Sequence, residues 1–169
     1  MITKNSDISL SKLTLADAPF IFELMNSESW KKYIGDKNID SLKKAENHIE
    51  NVYLKCYKDH EFGFYKITLN HQPSQHIGVT GFIKRDELKF PEVGFAFLPD
   101  YQNKGYGYQS TKLALDYGLK TFKFKTLLAI TQPNNQGSIK LLQKIGLTYQ
   151  KRIFPFDDGK ELLLFAKNY

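Results

Sequence analysis

Two glycines stand two positions apart in the segment Gln102 to Gly107, which reads QNKGYG and precedes an amphipathic run. Glycine lets a backbone bend and approach a ligand closely, and the first N–H groups of a helix have no partner inside that helix. A glycine loop before a helix is therefore suited to bind a phosphate group. A glycine-rich turn that binds nothing is the alternative interpretation.

Spacing excludes the two best-known phosphate-binding loops. A dinucleotide-binding loop needs a third glycine three residues after Gly107, where this chain has Ser110. A Walker loop needs the pattern GxxxxGK followed by Ser or Thr, and no glycine here fits it. The remaining pattern, Gln-x-x-Gly-x-Gly, has to be interpreted from the elements around it.

The elements around this loop alternate between strands and helices. Apolar alternation and turn residues predict strands at 8–14, 63–69, 75–84, 92–98, 126–131, 147–154 and 161–167. Pro73 with Ser74 predicts the turn between the second and third of them. Apolar spacing predicts helices after Thr14, at 40–58, at 109–119 and at about 135–145. This order indicates an α+β fold, a mixed sheet with helices on its faces and a parallel stretch at its middle.

Residues 40–58 give the clearest helical pattern. Their apolar positions fall at spacings of three, four, three and four, and they are Leu42, Ala45, Ile49, Val52 and Cys56. This stripe predicts that one face of the helix is buried. Cys56 is then a small buried side chain rather than a reactive thiol, since no histidine and acid accompany it.

Composition indicates one globular domain over residues 1–169. The 41% hydrophobic and 14% aromatic content is sufficient for a buried core, and the mean hydropathy of −0.43 is typical of a soluble protein. No apolar stretch approaches the roughly 18 to 20 residues of a membrane span, and no secretory signal is recognisable. Because a single cysteine cannot form an intrachain disulfide, we expect a cytoplasmic protein with no membrane partner.

The net charge of +6 makes a nucleic acid one candidate partner. The lysines are scattered without a dense run, which disfavours nucleic-acid binding, although Phe62, Phe64 and Tyr65 could stack on bases. The four histidines show neither HExxH nor a tight ligand spacing, so no metal site is expected.

Two motifs, about thirty residues apart with a predicted strand between them, follow the order of a known family. The first, Arg/Gln-x-x-Gly-x-Gly/Ala, is carried by Gln102, Gly105 and Gly107. The second, Asn-x-x-Ser-x-x-x-x-x-Lys-x-Gly, is carried by Asn135, Ser138, Lys144 and Gly146. In these stretches the chain resembles the GNAT superfamily of N-acetyltransferases, specifically its RimJ/RimL-like branch. The resemblance covers most of the chain and implies a mostly antiparallel central sheet of about seven strands.

The resemblance also implies acetyl-CoA as cosubstrate. The loop would bind its pyrophosphate through peptide N–H groups of Gln102, Asn103, Lys104, Gly105, Tyr106, Gly107 and Tyr108. Lys104 could add a charge there, or it could be a solvated surface lysine. The pantetheine arm would pair with backbone groups around Phe97 and Leu98, where strands 92–98 and 126–131 part, often at a bulge. Asn135 and Ser138 would hold the cofactor or cap the helix that follows.

Acetyl transfer to an amine needs a base, since an amine of pKa near 10.4 is neutral only about one time in a thousand near pH 7.4. The family pattern implies Glu92 as that base, with Glu61 and Asp86 as alternatives. The other interpretation of Glu92 is a solvated acid at the start of a strand, with no catalytic role. Many members protonate the leaving thiolate with a tyrosine, but here Leu142 fills its place. The branch offers the serine instead, which makes Ser138 the candidate donor.

The family builds its acceptor pocket from the first two helices, their connection and the last strands. Here that connection holds Trp30, Tyr33 and Asp36, which could bind an amine through cation–π and charge contacts. Alternatively the two aromatic rings anchor a loose loop. The acceptor is a protein N-terminus or a small-molecule amine, and a binding module that holds acyl-CoA without catalysis is the rival function. Exposed sheet edges make a homodimer a further expectation.

Overall fold

The computed structural model describes residues 1–169, in which eight strands form one sheet of order β1-β2-β3-β4-β5-β6-β8-β7. The strands are β1 (Thr3–Lys4), β2 (Ile8–Lys12), β3 (Phe64–Leu69), β4 (Gln72–Ile83), β5 (Glu92–Phe97), β6 (Thr126–Thr131), β7 (Thr148–Ile153) and β8 (Leu162–Asn168). Only β5 and β6 pair in parallel. The predicted α+β class and mostly antiparallel sheet are therefore confirmed. The additional strand is β1, whose two residues are too few to leave a period in the sequence.

The helices are α1 (Ala18–Asn26), α2 (Glu28–Tyr33), α3 (Leu42–His48), α4 (Lys55–His60), α5 (Tyr106–Phe122) and α6 (Gln136–Lys144). They cover both faces of the sheet. One face packs against α5 and α6 in a cluster of 18 buried residues, and the other packs against α1, α2 and α3 in a cluster of 13. None of the helices combines the length and the apolar character that crossing a lipid bilayer requires.

The predicted helix at 40–58 differs from expectation after its second turn. A π-helical segment, Ile49–Leu54, joins α3 to α4 and widens each turn beyond 3.6 residues. The buried positions accordingly recur every four residues, at Ala45, Ile49, Tyr53 and Tyr57. The predicted stripe is wrong at its other positions, because Leu42 and Val52 are exposed and Cys56 is only half-buried.

The β3–β4 hairpin also differs from expectation. Its turn lies at Asn70 and His71, so Pro73 and Ser74 belong to β4 rather than to the turn. Proline is tolerated there because that end of the strand is exposed and its pairing is irregular. Along β5 the predicted alternation holds, since Val93, Phe95 and Phe97 pack on the α5 side and Ala96 packs on the α1 side.

The aromatic residues in and just before β3 do not offer a surface for stacking bases. Phe62 and Tyr65 are 8% and 0% exposed and lie in the larger core cluster. Phe64 packs edge-to-face on Tyr53 beneath the α3 side. These rings therefore fill the two cores of the protein.

Candidate active site

The two parallel strands part almost as soon as they meet. β5 and β6 pair at one point, with Glu92 opposite Leu128, where the Leu128 N–H donates to the Pro91 carbonyl at 2.9 Å. Beyond it β5 continues to Phe97 and β6 to Thr131 without another bridge. The space between these two strand ends is here called the β5–β6 cleft, and it opens toward the loops that follow both strands.

Peptide groups of Phe95 and Phe97 point into the cleft. The Leu98 N–H donates to the Ile77 carbonyl at 3.0 Å, and residues of an antiparallel pair bond their partner strand alternately. Every second residue of β5 therefore bonds β4, while Phe95 and Phe97 face β6. Leu98 also accepts a hydrogen bond from the Tyr101 N–H at 3.0 Å, so both of its backbone groups are used inside the fold. No register shift, and so no bulge, occurs between β4 and β5.

The loop after β5 carries a row of unpartnered peptide N–H groups. The Gln102 N–H donates to the Pro99 carbonyl at 3.2 Å, and the first α5 bond runs from the Gln109 N–H to the Gly105 carbonyl at 3.2 Å. Between them six consecutive N–H groups have no partner within the chain, namely those of Asn103, Lys104, Gly105, Tyr106, Gly107 and Tyr108. They surround the N-terminus of a 17-residue helix, where the helix dipole favours an anion.

The two glycines of the loop serve different purposes. Gly105 caps α5 at a φ of +84°, a conformation that other residues rarely adopt, and nothing lies within 4 Å of where its Cβ would be. At Gly107 a Cβ would lie 3.0 Å from Cδ2 of Leu141 in α6. Gly105 thus lets the chain turn, and Gly107 lets the first turn of α5 approach α6.

Two ammonium groups flank this row of N–H groups. Lys104 Nζ lies 5.7 Å from the ring centroid of Tyr101, and Lys144 Nζ lies 4.6 Å from that of Tyr108. Both cations are held by the aromatic rings on either side of the loop. The free amides, the helix N-terminus and the adjacent positive charges together fit an anionic group such as a pyrophosphate.

The side chain of Gln102 ties the loop to its surroundings. Its Nε2 donates to the Ser29 hydroxyl of α2 at 2.8 Å and to the Phe97 carbonyl at 3.1 Å. The peptide N–H of Gln102 is already used, so this residue contributes to the site by joining β5, the loop and α2.

Glu92 lies at the closed end of the cleft, on the face covered by α1, α2 and α3. Its side chain is 4% exposed, and Arg85 Nε donates to its Oε1 at 2.7 Å. Burial raises the pKa of the Glu92 carboxyl above its ordinary value, and the Arg85 charge and hydrogen bond offset this only in part. Phe156, from the β7–β8 connection, covers the Arg85 guanidinium at 5.4 Å. Glu61 and Asp86 are exposed.

Asn135 and Ser138 meet at the first turn of α6, just after the end of β6. Asn135 Oδ1 accepts the Ser138 N–H at 3.1 Å, so Asn135 is the N-cap of that helix. The half-buried Ser138 hydroxyl has no hydrogen-bond partner within the chain. It is available to a group that enters the cleft.

The three predicted acceptor residues occupy different environments. Trp30 is 8% exposed and belongs to the smaller core cluster, although its indole Nε1 has no hydrogen-bond partner. Tyr33 is half-buried, and Lys32 Nζ lies 5.1 Å from its ring. Asp36 is exposed and pairs with Lys31 at 3.8 Å. The structure thus anchors α2 through Trp30 and leaves Tyr33 and Asp36 toward solvent.

Comparison with known proteins identifies the family. A family model described as an acetyltransferase (GNAT) domain matches residues 7–148. The chain belongs to the GNAT acetyltransferase family. Among curated relatives from Bacillus subtilis (strain 168), the uncharacterized N-acetyltransferase YoaA is 22% identical over 86% of this chain and 81% of its own length. YnaD, another uncharacterized N-acetyltransferase, is 39% identical over 33% of each chain, so this match spans only a third of that relative.

Solved structures share the GNAT fold over nearly the whole chain. RimL, a ribosomal L7/L12 alpha-N-protein acetyltransferase in complex with coenzyme A, superposes with a TM-score of 0.84 at 14% identity, covering 99% of this chain and 97% of that one. A chimera of the spermidine N-acetyltransferase SpeG from Vibrio cholerae gives a TM-score of 0.77 at 17% identity, with 96% of each chain covered. At these identities the likeness concerns the fold alone.

Three features of this GNAT site were not predicted from the sequence. The Arg85 side chain reaches Glu92 across the β4–β5 connection, and the peptide groups of Phe95 face the cleft, whereas those of Leu98 are bonded within the fold. Gln132 joins the loop after β6 to α2 through its side-chain amide. An opposite charge seven positions before Glu92 was the only available signal for Arg85. The sequence around Gln132 carries no comparable signal, because a single glutamine has neither a charge nor a motif that would mark it.

Proposed function

We propose that this GNAT protein transfers an acetyl group from acetyl-CoA directly to a primary amine, and that it belongs to the RimJ/RimL-like branch. The observation that carries the proposal is the row of six unpartnered N–H groups beside the β5–β6 cleft. Coenzyme A bound to RimL, a protein of the same fold, supports the choice of cofactor.

The residues around the cleft fit coenzyme A at three places. The amides of residues 103–108, with Lys104 beside them, bind the pyrophosphate. The peptide groups of Phe95 and the N–H of Phe97 pair with the pantetheine arm along the edge of β5, since the Phe97 carbonyl already accepts from Gln102. Asn135 orients the first turn of α6, which brings Ser138 toward the thiol. When bound, acetyl-CoA supplies an acetyl group activated as a thioester.

Glu92 acts as the base in this proposal. Its carboxylate sits where β5 leaves β6, and its raised pKa brings proton uptake closer to neutral pH. It accepts the proton of the incoming ammonium, directly or through water. The Phe95 N–H, which faces the cleft, donates to the carbonyl oxygen as negative charge develops on it.

Ser138 donates the proton that the leaving thiolate requires. Its hydroxyl is free, and Leu142, at the position where many family members carry a tyrosine, is 1% exposed and apolar. That proton stays with the departing thiol, and the second proton of the ammonium, released from the nitrogen as the amide forms, restores the Ser138 hydroxyl. Asn135 fixes the helix turn that aims the hydroxyl.

The acceptor in this proposal is a protein N-terminus or a small-molecule amine, held near α2 with Tyr33 and Asp36 as the contacting groups, while the buried Trp30 supports that helix from the core. RimL acts on the α-amino group of a ribosomal protein and SpeG acts on spermidine. Both acceptors are primary or N-terminal amines, which supports amines as the class to be tested.

The test has two parts. Calorimetry with coenzyme A should give saturable binding, and its absence from the folded protein would overturn the proposal. Acetyl-CoA should then release free thiol with an amine panel that includes spermidine and peptides beginning with Ser or Ala, with each product gaining one acetyl group by mass. Binding without thiol release would assign the protein to the non-catalytic acyl-CoA-binding class instead.

A further inference from the structure

Helix α2 is held at both ends by glutamine side chains. At its first turn the Ser29 hydroxyl accepts from Gln102 Nε2 at 2.8 Å. At its last turn the carbonyls of Lys32 and Tyr33 accept from Gln132 Nε2 at 3.2 and 3.0 Å. These are two separate tethers on a helix of six residues.

The two glutamines come from opposite sides of the β5–β6 cleft. Gln102 follows the end of β5, and Gln132 follows Thr131, the last residue of β6. A helix of six residues is about 9 Å long. Since its first turn is bound to the β5 side and its last turn to the β6 side, α2 crosses the open end of the cleft.

The β6-side tether satisfies groups that a helix cannot satisfy itself. The last carbonyls of a helix have no intrahelical donor and carry the negative end of its dipole. One side-chain amide at position 132 supplies N–H groups to two of them. The β5-side tether also reaches the Phe97 carbonyl, which faces the cleft, so one glutamine contacts both the predicted cofactor edge and α2.

We propose that Gln132 is a positioning residue for the amine acceptor. By fixing the last turn of α2 across the cleft, it sets the place of Tyr33 and of the segment that follows. Loss of its donor leaves cofactor binding intact and lets the acceptor side move. The inference rests on the proposed acetyltransferase function, because the acceptor has a defined place only relative to a thioester in the cleft.

The test replaces Gln132 by residues of similar length. Gln132→Glu removes both N–H donors and sets a carboxylate against two carbonyls, whereas Gln132→Lys keeps a donor and places a cation at the helix C-terminus. With spermidine or a Ser-initiated peptide as acceptor, Gln132→Glu should raise KM about tenfold, a loss expected from one or two hydrogen bonds. Its kcat should change less than twofold and its coenzyme A Kd should be unchanged. Gln132→Lys should stay within threefold of wild type.

Hydrogen exchange gives a readout that needs no acceptor. In Gln132→Glu the amides of residues 28–35 should exchange several-fold faster than in wild type, and in Gln132→Lys they should not. Gln150→Glu on β7 is the control, because it makes the same change at an exposed glutamine that bonds only Thr148. Exchange equal to wild type in Gln132→Glu, or an unchanged KM, would overturn the inference.

The two proposals fail in different ways. A wild-type protein that releases no thiol with any amine contradicts the acetyltransferase function, and the acceptor role of Gln132 falls with it. A wild-type protein that acetylates an amine, together with a Gln132→Glu variant of normal KM, contradicts the positioning role alone.

Discussion

Glu92 and Arg85 form the one buried carboxylate contact at the point where β5 and β6 meet. Arg85 is partly solvated, with 37% of its side chain exposed, whereas Glu92 is 4% exposed. Desolvation disfavours the charged carboxylate more strongly than Arg85 favours it, so the pKa of Glu92 is raised. Glu92 therefore becomes ionised, and able to act as a base, only at a higher pH than a surface glutamate. Without the charge of Arg85 that pH would be higher still.

Glu92→Gln should flatten the acidic limb of the pH–rate profile and lower kcat/KM at least tenfold near neutral pH, because the amide cannot take up a proton. The measurement is kcat/KM for one amine from pH 5.5 to 9. An unchanged acidic limb would contradict the role of Glu92 and direct attention to Glu61 or to a water relay.

The acidic limb of the pH–rate profile also tests whether Arg85 lowers the pKa of Glu92. Arg85→Met removes the charge that lowers the pKa of Glu92, so the limb should move to higher pH. Arg85→Lys keeps a charge at this position and should leave the limb closer to wild type. Identical limbs in the two variants would show that Arg85 does not act on Glu92 through its charge.

Ser138→Ala should lower kcat at least tenfold while changing the coenzyme A Kd less than threefold, because the hydroxyl acts on the leaving thiolate rather than on the pyrophosphate. Ser41→Ala is the control. It removes the serine hydroxyl at the N-cap of α3, a helix that contributes no residue to the proposed catalytic or cofactor site, and should leave kcat unchanged. A wild-type kcat in Ser138→Ala would remove this residue from the catalytic group.

The element that forms the proposed cofactor site is the junction of the β5 loop with α5. Its N–H groups stay unpartnered because a 3₁₀ turn, Pro99–Tyr101, follows β5 and ends at Tyr101, and α5 starts only after Gly105. The positive φ of Gly105 makes this abrupt start possible. The unpartnered N–H groups are thus a consequence of backbone geometry, and the charges of Lys104 and Lys144 add to them.

Gly105→Ala should weaken coenzyme A binding about tenfold, since alanine at this φ costs on the order of 1 to 2 kcal/mol and the loop relieves it by shifting. Gly159→Ala is a matched control, because Gly159 also has a positive φ, +68°, with open space around it, but lies in the β7–β8 connection. Calorimetry should show a weaker Kd only for Gly105→Ala. Equal Kd values in both variants would contradict a role for the loop in binding.

Elements with a regular period were predictable, and those with a local irregularity were not. The alternation of Val93, Phe95 and Phe97 identified β5 and its two faces correctly. The stripe at 40–58 failed at Val52 and Cys56 because a π-helical segment follows a different period from the 3.6-residue one assumed, and it failed at Leu42 because that first helical residue is exposed. Likewise the backbone N–H of Leu98 is bonded to the Ile77 carbonyl because Leu98 extends the pairing of β5 with β4. Only the observed register of these strands reveals this bond.

At the scale of the whole molecule, burial of two histidines links folding to pH. Burial lowers the pKa of His48 below its ordinary 6.5, assisted by the charge of Lys37. Burial also lowers the pKa of His76, assisted by Lys66 and opposed by Asp17. Both residues favour the neutral form in the folded state, so their contribution to stability is present above about pH 6.5 and is lost as pH falls through the lowered values.

Wild-type protein should therefore lose more thermal stability between pH 7.5 and 5.5 than the double variant His48→Gln, His76→Gln. Glu92 acts in the opposite direction, since its raised pKa removes stability as pH rises, but it is common to both proteins and cancels in the comparison. The measurement is Tm at each pH in matched buffers. Equal changes of Tm in the two proteins would contradict the contribution of the histidines.

The single bridge between Glu92 and Leu128 has a mechanical consequence. It divides the sheet into two parts, β1 to β5 and β6 to β8. Within each part the neighbouring strands are hydrogen-bonded along their length, but the two parts are joined at this one point. The angle between these two parts of the sheet is therefore set by the helices packed on them, not by peptide hydrogen bonds. A pantetheine chain lying along Phe95 and Phe97, as proposed, would bridge the two parts like a ninth strand, so that binding of the cofactor would also make the sheet more rigid.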